Sequence, residues 1–329
     1  GVASGTTGIA HVSCLAEQAK ILVAEALENN VVDDALSGRF KRWIWCSLCE
    51  QLHTDSVRCA LGWACWKTYL GRPETDYCRD RAMDALANGL RLGGNTTHAL
   101  EICRAGAAAS ERYFPDALHV RINWRNSLSS CLDELGHHKE ALEIKCKVHD
   151  LFKTTMGAHN QDTIVSGLQV AMVLIKLKRF EESKHLLKDQ LPVAQRVFGL
   201  DHEITLRLSE EYAQAIFCAS VIKFGGRVGG GNIKIKKIGE KDFLESKAII
   251  EDTCHRMLRI YGPKHTRAQF VQGQLKLMRS VEPHMIEPEL RNSREGVRSI
   301  REAVEAMTSG LDGKLVLDDA TTQGNEGGA

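Results

Sequence analysis

Two similar stretches, Leu135-Gly-His-His-Lys-Glu-Ala141 and Leu177-Lys-Arg-Phe-Glu-Glu-Ser183, lie 42 residues apart. Each stretch separates two apolar patterns with helical spacing, so each marks the turn of a helical hairpin. A second pair of landmarks follows almost the same period, because Gly157-Ala-His159 recurs as Gly199-Leu-Asp-His202. Helical units that recur about every 40 residues bury their apolar faces against neighbouring copies. The sequence therefore predicts a stacked helical-repeat fold.

The repeat extends in both directions from these two copies. Leu92 precedes Leu135 by 43 residues, but the landmark Gly262-Pro-Lys-His265 follows the previous one by 63 residues. We assign the extra length to a glycine- and lysine-rich surface insertion at residues 223–243, between the two helices of a fourth pair. The three complete helix pairs before it are predicted over residues 74–114, 116–156 and 160–198.

The C-terminal part of the chain continues the pattern and then changes it. A fifth first helix is predicted over residues 266–279, with Pro283 ending the pattern. Apolar residues at helical spacing in Glu289–Met307 predict a capping helix within residues 281–309, which would cover the last apolar face of the array. The polar residues 310–329 are predicted to be a disordered tail.

Composition restricts the class of protein. The 329 residues fit one extended array or two compact domains, and a formal charge of +1 provides no overall field that attracts nucleic acid or anionic lipid. The sequence contains no apolar run of membrane-spanning length and no visible signal peptide. An odd number of cysteines, eleven, scattered singly through helical patterns favours reduced thiols. We expect a cytoplasmic protein with no membrane or nucleic-acid partner, and buried thiols at Cys103, Cys131, Cys146, Cys218 and Cys254.

The Gly-x-x-His landmarks, the 42-residue period and the Glu-Ala hairpin turn resemble tetratricopeptide repeats of the kinesin light chain type. The resemblance covers about residues 74–280. It implies an all-α solenoid, a right-handed superhelix of antiparallel helix pairs whose first helices line a concave groove that grips extended peptides. In that family an Asn on a first helix contacts the peptide backbone, and Asn126 occupies the matching position. The equivalent positions one and two copies later are Leu168 and about Glu211.

A second resemblance concerns residues 1–54, which contain a His-x-x-Cys pair and a Cys-x-x-Cys pair. This order resembles the second half of a RING-variant zinc module, and histidine and thiolate are suitable zinc ligands. The four earlier cysteines of that family do not occur here, so the zinc ligand set is incomplete. Three interpretations are open. The zinc module is truncated or decayed, or a single rearranged zinc site uses all four residues. In the third interpretation the residues bind no metal and are a helix start and two core thiols. The candidate ligands are His11, Cys14, Cys46 and Cys49.

Two functional hypotheses follow from these observations. The first is a non-enzymatic scaffold that binds a protein or peptide in the groove of the repeat array at residues 74–280, with Asn126 as a contact. The alternative is the substrate-recruiting part of a RING-variant ubiquitin ligase, whose partner would be a ubiquitin-conjugating enzyme. In both cases residues 55–73 are predicted to be a linking helix, and Pro73 is expected at the first position of the next helix.

Overall fold

The computed structural model of the chain describes residues 11–31, 33–46, 51–53, 55–224, 240–287 and 293–309. Within these ranges the chain is all-α apart from a 3-10 turn at Lys41–Trp43 and an isolated bridge between Trp45 and Leu52. The helices are α1 Val12–Glu28, α2 Asp33–Phe40, α3 Asp55–Tyr69, α4 Tyr77–Leu92, α5 Thr96–Tyr113, α6 Leu118–Glu134, α7 His138–Thr155, α8 Gln161–Lys176, α9 Phe180–Phe198, α10 Glu203–Phe224, α11 Glu240–Tyr261, α12 Thr266–Ile286 and α13 Arg294–Ser309.

The hairpin turns predicted from the sequence share one hydrogen-bonding pattern. The N–H of Asn95 donates to the carbonyl of Leu90, and the same bond recurs 42 and 84 residues later as His137 to Leu132 and Arg179 to Leu174. A residue with positive φ precedes each donor, namely Gly94, Gly136 and Lys178, with φ of 84°, 82° and 59°. This is the Schellman arrangement that ends an α-helix and satisfies its last carbonyls. The repeat period is therefore present in the backbone itself.

Two helix ends differ from the sequence prediction. Pro73 does not begin α4, because Asp76 accepts hydrogen bonds from the N–H groups of Cys78 and Arg79 and so caps a helix that starts at Tyr77. Pro283 does not end α12, which continues through it to Ile286. A proline removes a single N–H donor, and the packing of the flanking residues Val281 and Met285 maintains the helix around it.

Both ends of the segment predicted as an insertion, residues 223–243, belong to helices. Residues 223–224 belong to α10, and residues 240–243 belong to α11. Residues 225–239 lie outside the described part of the chain, as do residues 1–10, Cys49 and the predicted tail at 310–329. Of the five cysteines predicted to be buried, Cys146 is partly exposed and the other four are buried.

The chain divides into two compact units, which meet in the sequence between Ile144 and Lys145. In the first unit, one hydrophobic cluster joins α1 and α2 to α3 and α4 through fully or almost fully buried side chains such as Val23, Trp43 and Leu61. The segment predicted as a linking helix, α3, thus packs along α4 within that core. A second cluster joins α4, α5 and α6 around Trp124.

The second unit has one continuous hydrophobic cluster that extends from α8 to α13. Its centre is α10, on which every residue from Ile204 to Ser220 is buried except Ser209. A helix that is buried all round must be covered on each side by other elements. Helices α9 and α11 flank α10, and α13 packs on both α12 and α10.

Candidate functional site

The predicted zinc ligands lie near the start of the described chain. His11 precedes α1, and its carbonyl accepts hydrogen bonds from the N–H groups of Cys14 and Leu15, so His11 and Cys14 share the exposed first turn. Cys46 is half-buried and its N–H donates to Gln51, whereas Cys49 lies outside the described residues. No group of three or more His, Cys, Asp or Glu side chains within the described ranges is placed to hold a metal ion. The zinc site stays a prediction.

Asn126 lies on a polar, solvent-accessible stripe of α6. The stripe recurs at intervals of four, three and four residues through His119, Asn123, Asn126 and Ser130, which is the spacing of one helix face. The hydrogen bond recorded at Asn126 among the described residues uses its main-chain carbonyl, which accepts from Ser129 Oγ at 2.9 Å. The half-buried Asn126 amide is therefore available to a ligand.

Helix α4 continues this surface. The ring of Tyr77 on α4 lies 6.4 Å from the ring of His119 on α6, which places these two residues on the same side of the helix pair. Half-buried Arg81 and Asn88 follow Tyr77 by four and eleven residues on α4. We call this surface the α4–α6 polar face, and it consists of Tyr77, Arg81, Asn88, His119, Asn123, Asn126 and Ser130.

Buried polar contacts fix α4 against α6 beneath the face. Trp124 Nε1 donates to Asp80 Oδ1 at 2.7 Å, and Ser127 Oγ donates to Asp84 Oδ1 at 3.2 Å. The same Asp84 oxygen accepts from Asn88 Nδ2 at 3.0 Å, so a member of the polar face is itself positioned by this contact. Burial raises the pKa of Asp80 to about 6, although the hydrogen bond from Trp124 opposes that shift.

The corresponding surface of the second unit is covered. Leu168 on α8 and Glu211 on α10, the two positions equivalent to Asn126, are both completely buried. The second unit therefore has no solvent-accessible polar side chain at these two positions. The sequence showed that Asn is replaced by Leu168 and Glu211, but it did not predict that both side chains are buried.

Helix α10 has polar side chains on a buried face, which the sequence analysis missed. Arg207, Glu211 and Gln214 follow one another at intervals of four and three residues, Glu210 lies beside them, and each is at most 2% exposed. Arg267 Nε on α12 donates to Glu210 Oε2 at 2.9 Å, while the nearest nitrogen of Arg267 lies 3.6 Å from Glu211 Oε1. We call these four residues the α10 polar face: Arg207, Glu210, Glu211 and Gln214.

Several side-chain oxygens of the α10 polar face accept no hydrogen bond within the described residues. Both carboxylate oxygens of Glu211, Oε1 of Glu210 and Oε1 of Gln214 are buried without a hydrogen bond in the described part of the chain. Burial and the neighbouring Glu210 raise the pKa of Glu211 to about 7, and burial lowers the pKa of Arg207. The one signal available in the sequence was the helical spacing of these polar residues, which is also the spacing of a solvated face.

Comparison with known proteins supports the helical-repeat fold. The sequence model of a family described as "Tetratricopeptide repeat" matches residues 163–203, which span α8, α9 and the start of α10. A search of curated proteins finds no match. The family match lies outside residues 1–54, so the RING-variant resemblance rests on its own four residues and stays a prediction.

The solved structures that are similar to the chain include the following two. BtubC (BKLC) from P. vanneervenii is 10% identical, with a TM-score of 0.50, 93% of this chain covered and 94% of that chain covered. Kinesin light chain nearly identical TPR-like repeats of Podosopora anserina are 14% identical, with a TM-score of 0.48, covering 76% of this chain and 98% of that chain. No helix in the described ranges is both long and apolar enough to span a membrane. The chain has an all-α fold of the tetratricopeptide-repeat type.

Proposed function

We propose that the protein is a non-enzymatic scaffold that binds an extended peptide segment of a partner protein on the α4–α6 polar face. The observation that carries the proposal is the row of amide side chains at Asn88, Asn123 and Asn126 on neighbouring first helices of a tetratricopeptide-type fold. Such a fold is consistent with a protein-interaction scaffold.

The chemistry of the face suits a peptide main chain. An Asn side chain offers two donors and an acceptor, so it can pair with both the C=O and the N–H of one extended residue. The hydrogen bonds of Asp84 and Asp80 beneath the face hold Asn88 and Trp124 in place, which reduces the entropy lost when a ligand is ordered. Tyr77 and His119 add flat ring surface next to the amides.

Binding of an array of immobilised 15-residue peptides to the full chain tests this proposal. The peptide that binds most tightly is resynthesised, and its dissociation constant is measured by fluorescence anisotropy with the parent protein and with Asn126→Ala and Asn123→Ala. Each substitution is expected to weaken binding by about 5–30-fold, the cost of one or two hydrogen bonds to a peptide.

The matched control is Asn29→Ala, which removes an amide of the first unit at the end of α1, away from the face. This variant is expected to bind as the parent does. Equal affinity for the Asn126→Ala and Asn29→Ala variants, with both folded by circular dichroism, would place the peptide elsewhere and contradict the proposal.

The zinc-dependent ligase hypothesis has its own test. Zinc content is measured on the purified chain and on a Cys14→Ser and Cys46→Ser double variant. A single rearranged site predicts one zinc per chain in the parent and none in the variant, because a structural site requires four ligands. Absence of zinc from the parent would remove the basis for a working RING-variant module in this chain.

A further inference from the structure

Two buried thiols face each other where helices α5 and α6 pack in the first unit. Cys103 Sγ on α5 lies 3.8 Å from Cys131 Sγ on α6, and each residue is 1% exposed. Both belong to the hydrophobic cluster around Trp124. A disulfide bond needs about 2.05 Å between its sulfur atoms, so the gap to be closed is roughly 1.8 Å, shared between two side chains.

The surroundings of the pair favour a thiolate on Cys131. The hydrogen bond from the Cys103 thiol lowers the pKa of Cys131, burial opposes this shift, and the positive charge of Arg91 adds to it. The same hydrogen bond raises the pKa of Cys103. Arg91 lies at the end of α4 and forms an ion pair with Glu134 of α6. Cys131 is therefore the better nucleophile of the two thiols.

Cys131 is also close to an exposed part of the chain. It lies in the last turn of α6, where its carbonyl accepts a hydrogen bond from the N–H of Leu135. Leu135 is exposed at the hairpin turn. The end of a helix opens at a lower cost in free energy than a whole unit does. A small oxidant can therefore reach Cys131 without unfolding of the first unit.

We propose that Cys103 and Cys131 are a modification site that hydrogen peroxide converts to a reversible disulfide bond between consecutive helix pairs. The Cys131 sulfur attacks one peroxide oxygen, which forms an S–O bond and breaks the O–O bond, and the released hydroxide takes up the Cys131 proton. The Cys103 sulfur then attacks the resulting sulfenic acid, which forms the S–S bond and breaks the S–O bond. The hydroxide that leaves takes up the Cys103 proton. Two thiols lose two electrons, and the peroxide is reduced to two water molecules.

Peptide mapping of the oxidised full chain tests this bond. The reduced protein is treated with hydrogen peroxide, its remaining thiols are alkylated in urea, and the chain is digested with trypsin. Trypsin releases residues 92–104 and residues 126–139 as separate peptides with one cysteine each. Mass spectrometry is expected to find these peptides joined, two hydrogens lighter than their sum, and separated again by dithiothreitol. Oxidation of the exposed Cys14 while both peptides stay alkylated would overturn the proposal.

The same oxidation of the urea-unfolded chain tests whether the fold selects the pair. The yield of the joined peptides is expected to fall at least about fivefold, because the unfolded chain no longer holds the two sulfurs together. An equal yield from folded and unfolded chains would overturn the proposal. These measurements detect a covalent bond and not peptide binding, so this proposal and the proposed function can fail independently.

Matched serine variants test the role of each sulfur. Cys103→Ser keeps a hydroxyl donor beside Cys131 but lacks the second sulfur, so the sulfenic acid should persist and react with dimedone on residues 126–139. Cys131→Ser should give at least about fivefold less dimedone adduct on residues 92–104, because Cys103 lies further inside its helix. Cys59→Ser, at a half-buried position of α3, is the control and should form the disulfide bond as the parent does. Equal adduct yields in the first two variants would overturn the role of Cys131, and the peptide map of the parent requires no variant to fold.

Discussion

Gly106 on α5 lies directly against the indole of Trp124 on α6, so that a Cβ at position 106 would stand 2.5 Å from Trp124 Cε3. Trp124 is completely buried, which leaves the ring no free volume to move into. We predict that Gly106→Ala lowers the free energy of unfolding by about 1–3 kcal/mol through overpacking. Urea denaturation measures this change.

Gly273→Ala is the matched control for that substitution. Gly273 lies inside α12, and a Cβ there would meet no atom within 4 Å. Alanine is the better helix former, so this variant is expected to gain up to about 1 kcal/mol. The same loss of stability in both variants would show that helical glycines, rather than the fit of Trp124, determine the result.

The hydrogen bond beneath the α4–α6 polar face gives a second prediction. Trp124→Phe removes the donor to Asp80, whose side chain is buried, and is expected to cost about 1–3 kcal/mol of stability beyond the change in ring size. A double-mutant cycle with Asp80→Ala isolates the pair from the packing loss. A coupling free energy of zero would mean that the contact does not contribute to the stability of the first unit.

The repeated hairpin turns predict that substitutions at two equivalent positions change the stability of the chain in opposite directions. Gly136 and Lys178 both adopt positive φ, 82° and 59°, but only glycine does so without strain. Gly136→Ala is expected to destabilise the chain by about 1 kcal/mol or more, and Lys178→Gly to stabilise it by roughly 0.5–1 kcal/mol. Thermal unfolding of both variants measures these effects, and a destabilised Lys178→Gly would contradict the shared turn geometry.

The stability of the second unit should depend on pH through Glu211. The folded chain raises the pKa of Glu211 from 4.5 to about 7, so the fold holds this proton more tightly than the unfolded chain does. The contribution of this tighter proton binding to the free energy of unfolding is fully present below about pH 4.5. It is lost as the pH rises through 7. Glu211→Gln removes the charge and is expected to be more stable than the parent at pH 8, by on the order of 1–3 kcal/mol.

Urea denaturation at several pH values checks this prediction. The difference between parent and Glu211→Gln should shrink as the pH falls towards 4.5, because the parent carboxyl is then neutral as well. Glu245→Gln, at an exposed position of α11, is the control and should follow the parent at every pH. A parent and a Glu211→Gln variant with parallel pH profiles would show that the carboxyl is solvated.

The sequence predicted those parts of the fold that local chemistry decides. The turns at Gly94, Gly136 and Lys178 were visible because a Schellman turn involves only six consecutive residues. The predicted start of α4 was wrong. Whether this helix begins near Pro73 or after Asp76 depends on which backbone N–H groups the Asp76 side chain reaches. The continuation of α12 through Pro283 was also missed, because tertiary packing there outweighs the local preference.

The candidate sites were predictable to a smaller extent. Asn126 was proposed from its position in the repeat and lies half-buried on α6, and its role as a peptide contact stays a prediction. The burial of Arg207 and Glu211 could not be predicted, because it depends on contacts with other helices. Arg207 Nη2 lies 4.0 Å from the sulfur of Met172 on α8, and Glu211 Oε1 lies 3.6 Å from a nitrogen of Arg267 on α12. A polar helix face has the same residue spacing in the sequence whether water or another helix covers it.

The hydrogen bond that Gln214 Nε2 on α10 donates at 2.6 Å ends on the main-chain carbonyl oxygen of Met307 on α13, and every residue type carries that atom. The bond therefore depends on the path of the α13 backbone and not on the side chain at position 307. Replacement of Met307 by another apolar residue would leave the acceptor of this bond in place.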